Sequence, residues 1–391
     1  MEEKKILFIE ICNYTDYPIG GYLSFAKQML SSFNNQLLLV GLATDNTPIG
    51  KWVKKEINGI EFEYFAVMHS KKNSHKSLIP GRLRSFIAVR KYRNEILAKD
   101  IDNVFIQTPE VLFALKNSGI RNLCTRIPGV ENPMKISRYW YGKYFSILYE
   151  YLFYKIVNKS NVVFASADSK AIEKFIMDGK GVLAAKKVIQ FPTRVNTSIF
   201  YPKNKEDCRN NINLDKDDIL ITTTGRLNKL KGWDFMLDCF AEFQRMNTKA
   251  KFIFIGDGED RNKIEKKIRN LNLESKVFIT GRINHERIAQ YLGASDLYIM
   301  GSYIEGWATS LVEAIASGIP VCVTDFSSAN DLVENGVNGY IIQNHDKRNF
   351  INAMVKCLNI SKDVLNQKAA GLENMAVSNL KAAILKHWKL S

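Results

Sequence analysis

Residues 297–325 read LYIMGSYIEGWATSLVEAIASGIPVCVTD, and this stretch decides the fold. Its two apolar runs, 297–300 and 321–324, predict buried strands. Between them the spacing of apolar residues predicts a short helix over 309–317, and Gly318 follows where a helix commonly closes in a left-handed conformation. A strand, a helix and a second strand in this order predict one βαβ unit of a parallel sheet.

The connection after the first of these strands carries two glutamates, Glu305 and Glu313, eight residues apart. Backbone N–H groups of residues 306–311 would point out of the helix N-terminus, where unpaired donors and the helix dipole favour a diphosphate. Carboxylates beside such a site suit sugar hydroxyls, from which they accept hydrogen bonds. Two other interpretations stay open. Ser310 and Glu313 have the spacing of a capping box, and Glu305 could be an ordinary solvated loop residue.

A second stretch, ITTTGRLNKLKGWD at 221–234, contains two cations next to glycines. A β-rich run ends at Gly225, Arg226 follows at once, and Lys231 precedes a helix with apolar periodicity. Two cations at the carboxyl end of a strand predict a clamp for a diphosphate. The alternative is a solvated turn that happens to carry basic side chains.

Four segments occur in the order and spacing of family 4 of the retaining, nucleotide-sugar-dependent glycosyltransferases, which the chain therefore resembles. They are GRLNKLKG (225–232), FIGDGED (254–260), EGWATSLVEA (305–314) and ENGVNGY (334–340). The resemblance is strong over residues 218–345 and looser elsewhere. It implies the α/β fold called GT-B, in which two Rossmann-like, doubly wound domains face a cleft.

The resemblance also implies roles for individual residues. Arg226 and Lys231 would stabilise the charge of the departing diphosphate, and Glu305 would bind hydroxyls of the transferred sugar, so these three are the candidate catalytic residues. The candidate donor-binding residues are Gly20, Gly21, Gly225, Arg282, Ile283, Gly306, Trp307, Ala308, Thr309, Ser310, Leu311 and Glu313, the last for the ribose diol. No metal and no cofactor are expected, because the nucleotide sugar is a substrate.

The chain departs from this family in residues 122–133, where many relatives have a histidine beside the sugar and this sequence has none. Arg126 or Glu131 would take the place of that histidine. The departure concerns which groups contact the sugar.

A length of 391 residues exceeds one ordinary hydrophobic core and predicts two domains. Strands are predicted at 5–12, 36–43, 60–67, 103–108, 122–127 and 161–166, and then at 219–224, 251–256, 276–280, 297–300, 321–324 and 340–342. A polar connection separates the two groups, so we predict one domain over 1–200 and a second over 201–370. The resemblance implies that the first is the acceptor-side Rossmann-like domain and the second the nucleotide-sugar donor domain. By resemblance, a final helix within 371–391 packs back on the first domain.

Cysteine and histidine usage argues against disulfides and metal sites. The six cysteines show no C-x-x-C spacing, and the five histidines form no metal-binding pattern. Two acidic clusters, Asp215–Asp218 and Asp257–Asp260, are assigned to turns at strand edges. The sequence has no secretory signal and no stretch of 18 apolar residues, which predicts a protein that is not secreted by the general route and does not span a membrane.

Basic charge is concentrated in the first half of the chain. Residues 1–200 have 29 Lys and Arg against 17 Asp and Glu, whereas residues 201–391 have 26 against 23. Segment 82–93 has five basic side chains and no acid, and segment 139–154 has nine aromatics. Both segments predict interfacial helices on an anionic membrane surface. The alternatives are a solvated face for the first and a helix buried between domains for the second. No nucleic-acid-binding module is recognisable, so nucleic acid is not an expected partner.

The sequence therefore predicts a retaining glycosyltransferase that moves a hexose-type sugar from a nucleotide diphosphate donor to a glycan or lipid-linked acceptor. We expect a UDP-sugar rather than GDP-mannose, and a role in bacterial cell-surface polysaccharide or lipopolysaccharide synthesis at the cytoplasmic face of the membrane. Two alternatives remain, a nucleotide-sugar epimerase of the same fold and a non-catalytic basic protein that binds membranes.

Overall fold

The computed structural model describes residues 4–18, 20–70, 81–127, 129, 130, 132, 134 and 140–391. Its strands are β1 Ile6–Ile9, β2 Leu37–Ala43, β3 Trp52–Ile57, β4 Ile60–His69, β5 Asn103–Ile106, β6 Asn122–Ile127, β7 Val162–Ala165, β8 Val188–Gln190, β9 Ile219–Thr224, β10 Ala250–Ile255, β11 Val277–Ile279, β12 Leu297–Met300, β13 Val321–Thr324 and β14 Gly339–Ile342. Its helices are α1 Gly21–Phe33, α2 Gly81–Lys91, α3 Arg93–Leu97, α4 Pro109–Ala114, α5 Trp140–Val157, α6 Ser169–Asp178, α7 Lys205–Asn210, α8 Trp233–Met246, α9 Arg261–Asn270, α10 His285–Ala294, α11 Thr309–Ala316, α12 Ala329–Leu332, α13 Lys347–Cys357, α14 Lys362–Gly371 and α15 Leu380–His387.

The chain divides into two compact units. The N-terminal unit consists of Met1–Arg194 together with Ser378–Ser391, and the C-terminal unit consists of Val195–Val377. Each unit is a predominantly parallel sheet with helices in its connections, so the prediction of two doubly wound α/β domains is confirmed.

The described residues of the N-terminal unit form one sheet of eight strands in the order β3-β4-β2-β1-β5-β6-β7-β8. All neighbouring pairs are parallel except β3 and β4, which form an antiparallel hairpin. Strands β1, β5 and β7 are buried along their whole length, as expected where a parallel sheet is covered on both faces. Strands β2, β4 and β3 lie on one side of β1, and β5 to β8 follow in chain order on its other side. The order therefore reverses between β1 and β5, and the carboxyl ends of strands at such a reversal commonly form a ligand site.

Two strands of this sheet are not predicted from the sequence, and the reason is visible in each. Strand β3 lies at the edge of the sheet, where most of its residues are at least partly exposed. Its sequence, WVKKEI, therefore lacks the apolar run that predicts a buried strand. Strand β8 has only three residues. The strand predicted at 5–12 ends at Ile9, because the Cys12 N–H donates to the Glu10 carbonyl and turns the chain.

The C-terminal unit has six parallel strands in the order β11-β10-β9-β12-β13-β14. All six were predicted to within one residue at each end, because each is a short apolar run bounded by polar or glycine-containing connections. The strand order reverses between β9 and β12. The connections that follow these two neighbouring strands are the two motif-bearing stretches of the sequence.

The boundaries between the units differ by a few residues from the predicted ones. The first lies after Arg194 rather than after residue 200, because Val195 and Phe200 are buried in the core of the C-terminal unit. The second lies after Val377 rather than after residue 370. There, Val195 exchanges backbone hydrogen bonds with Met375 and Val377, which keeps that segment in the C-terminal unit.

The last segment of the chain is part of the N-terminal unit. Helix α15 packs against α1. Trp388 is completely buried, donates from Nε1 to the Asn122 side-chain oxygen at 2.8 Å and places its ring 5.9 Å from that of Phe105. None of the described helices combines the length and the apolar composition needed to cross a bilayer.

Candidate active site

The candidate site of the C-terminal unit lies where its strand order reverses. Strands β9 and β12 are neighbours and parallel, so the loops that follow them leave the same edge of the sheet. The first loop carries Gly225 to Gly232 and the second carries Gly301 to Ala308. In open α/β sheets, ligands bind in the crevice at this position.

The two loops touch through their backbones, and glycine makes this contact possible. Gly232 is the N-cap residue of α8 and has φ 62°, and a Cβ atom placed on it would lie 1.7 Å from the Gly301 carbonyl oxygen. No other residue fits there, since it would meet both the left-handed backbone and the clash. The Tyr303 N–H also donates to the Leu230 carbonyl at 2.8 Å. The backbone contact therefore fixes Lys231, which precedes Gly232, beside the loop after β12.

Lys231 and Glu305 form an ion pair across these loops. Lys231 Nζ lies 2.5 Å from Glu305 Oε1, and Ser302 Oγ donates to the same oxygen at 2.6 Å. The two charged side chains are only 27% and 11% exposed. Glu305 is therefore not an ordinary solvated loop residue. Its second oxygen, Oε2, has no hydrogen-bond partner among the described residues and can accept from a ligand hydroxyl.

Hydroxyl side chains from the end of β13 and the loop after it hold the Glu305 loop in place. Thr324 Oγ1 donates to the Ser302 carbonyl at 2.7 Å, and Ser327 Oγ lies 2.6 Å from the carbonyl oxygens of Glu305 and Gly306. Ser328 Oγ accepts from the Ala308 N–H at 3.0 Å. Sequence reasoning missed this support, although a run of hydroxyl residues directly after a strand next to β12 is a usable signal.

The start of α11 differs from the capping box considered above. The cap residue is Ala308, and no side chain caps the helix, so Ser310 lies within its first turn. The N–H groups of Thr309 and Leu311 donate at 3.0 Å to the carbonyls of Trp307 and Ala308. Among the amides of Thr309, Ser310 and Leu311, only that of Ser310 has no backbone partner among the described residues. The N–H groups of Thr309 and Leu311 were expected to bind a diphosphate, but in this conformation they donate to backbone carbonyls instead.

Glu313 lies in the second turn of α11 and is half-buried. Burial raises its pKa to about 8, which makes the carboxyl mostly neutral at pH 7. Ser310 comes three residues before Glu313 on the same helix, and its side chain lies near Tyr298 of β12. A ligand that donates hydrogen bonds to the ionised carboxylate would lower this pKa.

Arg226 is placed differently from Lys231. Its side chain is 71% exposed, and Nε donates to Glu259 of the loop after β10 at 3.1 Å. Lys231, by contrast, lies over Gly225, since its Nζ is 3.8 Å from the position of a Cβ on that glycine. The structure thus joins Gly225, Lys231 and Glu305 but pairs Arg226 with another carboxylate at the same sheet edge.

The remaining candidates lie at other positions. Arg282 and Ile283 follow β11 after a left-handed Gly281, with Arg282 exposed and Ile283 partly buried. Gly20 and Gly21 belong to the N-terminal unit, where they are exposed at the start of α1. Glu131 lies outside the described residues. Arg282 and Ile283 form no hydrogen bond with Lys231 or Glu305.

Arg126, the other candidate sugar contact, is completely buried in the N-terminal unit. Its guanidinium donates to Gln107 at 3.2 Å and to Thr193 at 2.9 Å, and it lies 3.9 Å from the centre of the Phe25 ring. Burial lowers its pKa to about 9. Arg126 therefore cannot contact a sugar directly in this conformation, and it instead holds neighbouring polar side chains in position.

Comparisons with known proteins agree with the architecture. Residues 204–373 match the family model described as Glycosyl transferases group 1. A UDP-Gal:alpha-D-GlcNAc-diphosphoundecaprenol alpha-1,3-galactosyltransferase of Escherichia coli is 30% identical over 196 residues, which cover 47% of this chain and 50% of that protein. The chain thus matches about half the length of this curated relative.

Two solved structures share the fold of the chain at low sequence identity. Sucrose-phosphate synthase from Thermosynechococcus elongatus superposes with a TM-score of 0.75 at 16% identity, over 98% of each chain. Anabaena Alr3699/HepE, in complex with UDP and glucose, superposes with a TM-score of 0.71 at 18% identity, over 98% of this chain and all of that one. At such identities the likeness shows the GT-B fold alone.

Proposed function

We propose that the chain is a glycosyltransferase that moves a hexose-type sugar from a nucleotide diphosphate donor to a hydroxyl of a glycan or lipid-linked acceptor, with retention at the anomeric carbon. One observation carries this proposal. The Lys231–Glu305 pair lies at the strand-order reversal of the segment that matches glycosyl transferases group 1, and the Glu305 loop leads into the first turn of α11, which carries the Ser310 amide. A cation, a partly unpartnered carboxylate and a backbone donor suit a sugar diphosphate.

The proposed reaction breaks the bond between C1 of the sugar and the β-phosphate oxygen. That oxygen gains negative charge as the bond breaks, and the ammonium of Lys231 stabilises it. The acceptor oxygen forms the new bond to C1 on the face that the phosphate leaves, and its proton passes to the departing phosphate oxygen. Each step is balanced by donor and acceptor alone, so no nucleophile from the protein is required.

Glu305 has two oxygens with separate tasks in this proposal. Oε1 is occupied by Lys231 and Ser302, which fixes the carboxylate. Oε2 then accepts from a hydroxyl of the transferred sugar. Because the same side chain holds the cation and the sugar, it sets their relative positions, which is the requirement for an oriented transfer.

Glu313 would accept hydrogen bonds from the ribose diol of the donor. Arg226 would either leave Glu259 and bind the diphosphate directly, or stay paired with Glu259 and attract the diphosphate from the edge of the loop. Backbone groups of Arg282 and Ile283 would contact the base. We propose that no metal takes part, with the charge of the diphosphate met by Lys231, Arg226 and the Ser310 amide.

For the donor and acceptor we propose a UDP-sugar and a lipid-linked glycan of the bacterial cell surface. The names of two similar proteins support this choice. The Escherichia coli relative uses UDP-Gal and a lipid diphosphate acceptor, and the Anabaena protein binds UDP and glucose. Lipopolysaccharide or another surface polysaccharide is the proposed product.

We also propose that the N-terminal unit binds an anionic membrane surface through 82–93 and 139–154. Over the residues of α5 whose side chains are described, six large apolar side chains are 40% to 79% exposed. They are Tyr144, Phe145, Ile147, Leu148, Tyr151 and Leu152. On α2, Leu83 and Ile87 are 46% and 52% exposed among basic residues. Such a surface fits peripheral attachment at the cytoplasmic face.

The test of the proposed function is a UDP-release assay in EDTA, with UDP-glucose, UDP-galactose and UDP-N-acetylglucosamine, in the presence of bacterial lipid extract. Lipid-dependent release of UDP with one donor, and transfer of its radiolabelled sugar to the lipid fraction, are the expected results. Conversion of the donor to an isomer without UDP release would indicate an epimerase. Membrane binding without any turnover would indicate the non-catalytic protein.

A further inference from the structure

A third connection of the C-terminal unit lies at the sheet edge that carries the candidate site. Strand β14 is parallel to β13, which is parallel to β12, so the residues after β14 leave the same edge as the loops with Lys231 and Glu305. They form the short turn Gln343–His345, which precedes α13. The last residue of this turn, His345, contacts the loop after β12.

The backbone of this turn has two successive residues in the left-handed region. Asn344 has φ 56° and His345 has φ 51°. Neither is glycine, and this conformation costs free energy for a residue with a side chain, although asparagine tolerates it better than most. Strain of this kind persists where surrounding contacts hold it, and it is common at functional sites. The contacts of the His345 side chain therefore bear on the shape of the turn.

The imidazole of His345 is packed between two aromatic rings. It stacks on the ring of Tyr303, with the ring centres 4.2 Å apart and an angle of 14° between the planes. The ring of Phe235, in the first turn of α8, forms an edge-to-face contact with it at 5.0 Å and 73°. One side chain thus contacts both the loop after β12 and the helix that follows the loop after β9.

The third contact of the imidazole is a hydrogen bond to the Gly301 carbonyl. His345 Nε2 lies 3.1 Å from this oxygen. A carbonyl oxygen accepts and never donates, so Nε2 carries a hydrogen and donates it. The neutral ring is therefore the Nε2–H tautomer, and a doubly protonated ring would donate in the same way.

The Gly301 oxygen links His345 to the charged pair of the site. It is the atom that lies against Gly232, where a Cβ would come within 1.7 Å of it. The residue before Gly232 is Lys231. The residue after Gly301 is Ser302, whose hydroxyl donates to the carboxylate of the ion pair at 2.6 Å. A hydrogen bond that fixes this one oxygen therefore bears on the backbone beside both charged side chains.

We infer that His345 is a positioning residue for the proposed transfer. Its hydrogen bond to Gly301 and its stacking on Tyr303 fix the loop after β12, and this loop sets the geometry of the Lys231–Glu305 pair. A misplacement of about 1 Å can lower a rate by about 10²-fold, so a residue that acts through the backbone can matter as much as one that touches the donor. The effect on rate rests on the proposed function, whereas the effect on the ion pair does not.

The first experiment measures the coupling between Lys231 and Glu305 with and without this hydrogen bond. Urea unfolding of the wild type, the two single alanine variants and the double variant gives the coupling, and the same four proteins in a His345→Phe background give it again. Phenylalanine keeps a ring against Tyr303 but has no N–H donor. We expect the coupling to fall to less than about half. Equal coupling in the two backgrounds, or no coupling in the wild type, overturns the inference.

Nitrogen-15 NMR of the histidine side chains tests the hydrogen bond itself. The chain has five histidines, and the signal that is missing from His345→Phe belongs to His345. We expect a hydrogen on Nε2 at neutral pH. A ring with its hydrogen on Nδ1 alone would overturn the inference. Thermal unfolding shows whether each variant folds. If His345→Phe does not, His345→Asn replaces it, because asparagine tolerates the left-handed backbone and ends one bond short of the Nε2 position.

Steady-state UDP release then separates positioning from binding. His345→Phe should lower kcat at least about tenfold while the Kd for UDP changes less than about threefold, because the charges remain and only their geometry shifts. His345→Gln places an amide N–H near the Nε2 position and should restore kcat to within about threefold of wild type. The matched control is Gln343→Phe, at an exposed position of the same turn, which should behave like wild type.

The outcomes distinguish this inference from the proposed function. A wild-type kcat in His345→Phe, or a His345→Gln variant as slow as His345→Phe, overturns the role of the hydrogen bond in transfer. A wild-type protein that neither binds UDP nor releases it from any donor contradicts the proposed function. In that case the coupling and the NMR signal still decide whether His345 positions the ion pair.

Discussion

The ammonium of Lys231 and the carboxylate of Glu305 are 2.5 Å apart although 74 positions separate them in the sequence. The contact is largely shielded from solvent, so each partner depends on the other for compensation of its charge. It exists because Gly232 lets the loops after β9 and β12 approach at backbone distance. Residues that bind the phosphate and the sugar in the proposed reaction are therefore positioned by one another.

Replacement of Lys231 by alanine is expected to lower kcat for sugar transfer by about 10²-fold, because the charge that develops on the diphosphate loses its nearest cation. Steady-state UDP release measures this effect. Lys229→Ala is the matched control, since Lys229 lies in the same short turn but is exposed and does not contact Glu305. Equal rates for the two variants would remove Lys231 from the proposed mechanism.

The two members of the ion pair should also be coupled. Lys231→Ala and Glu305→Ala are each expected to lower the free energy of unfolding by about 1–3 kcal/mol, because each leaves an unpaired, partly buried charge. The double variant should cost clearly less than the sum. Urea unfolding of the four proteins of this cycle gives the coupling energy. Additive losses would show that the pair contributes nothing to stability.

UDP binding should release a proton from Glu313. Burial gives this group a pKa of about 8, so it is mostly protonated at pH 7. Ribose hydroxyls that donate to the ionised carboxylate lower that pKa, and about one proton leaves per UDP bound. Calorimetric titration in buffers of different ionisation enthalpy measures it. Glu313→Gln, and wild type with 2′,3′-dideoxy-UDP, should both show no release.

The same group predicts how stability changes with pH in the absence of nucleotide. The folded state holds the proton of Glu313 more tightly than the unfolded state, so this contribution to stability is present below the pKa of the unfolded chain. It is lost as pH rises from about 4.5 toward 8. Glu313→Gln should therefore gain stability relative to wild type as the pH rises from about 5 to 8. An unchanged difference across pH 5 to 9 would contradict the raised pKa.

Attachment to membranes should depend on the exposed face of α5. Replacement of Tyr144 and Ile147 by serine is expected to weaken binding to vesicles with phosphatidylglycerol at least tenfold, because each side chain is 79% exposed and would enter the lipid surface. Vesicle co-sedimentation measures the effect. Met246→Ser, at an exposed apolar position on α8 of the other unit, is the control. Unaltered sedimentation of the α5 variant would reject the membrane proposal for this helix.

Much of the C-terminal unit is predictable from sequence because its strands are short apolar runs with glycine or charge at both ends. The positions of Lys231 and Glu305 followed from strand ends that share one sheet edge. The bounds of α11 were also predicted to within one residue, but the contact at its start was not, because Ser328, which accepts from the Ala308 N–H, comes from the loop of another strand.

The positions of polar side chains in the N-terminal unit were less predictable. Glu10 is one acid after an apolar strand, and only the pairing of β1 with β5 brings it to Thr108. Arg126 looked like a sugar contact because it lies within the region that departs from the family. Its burial beneath Gln107 depends on tertiary packing that no local pattern encodes.

Thermal unfolding in EDTA, with and without UDP, tests the central claim most directly. At about 100 times its dissociation constant, UDP should stabilise the wild-type protein by about 2.7 kcal/mol. GDP, dTDP, CDP and ADP should stabilise it less, and Lys231→Ala should lose most of the UDP effect while Lys229→Ala keeps it. No stabilisation by any of the nucleotides, or equal stabilisation of wild type and Lys231→Ala by UDP, would contradict a diphosphate site built on the Lys231–Glu305 pair.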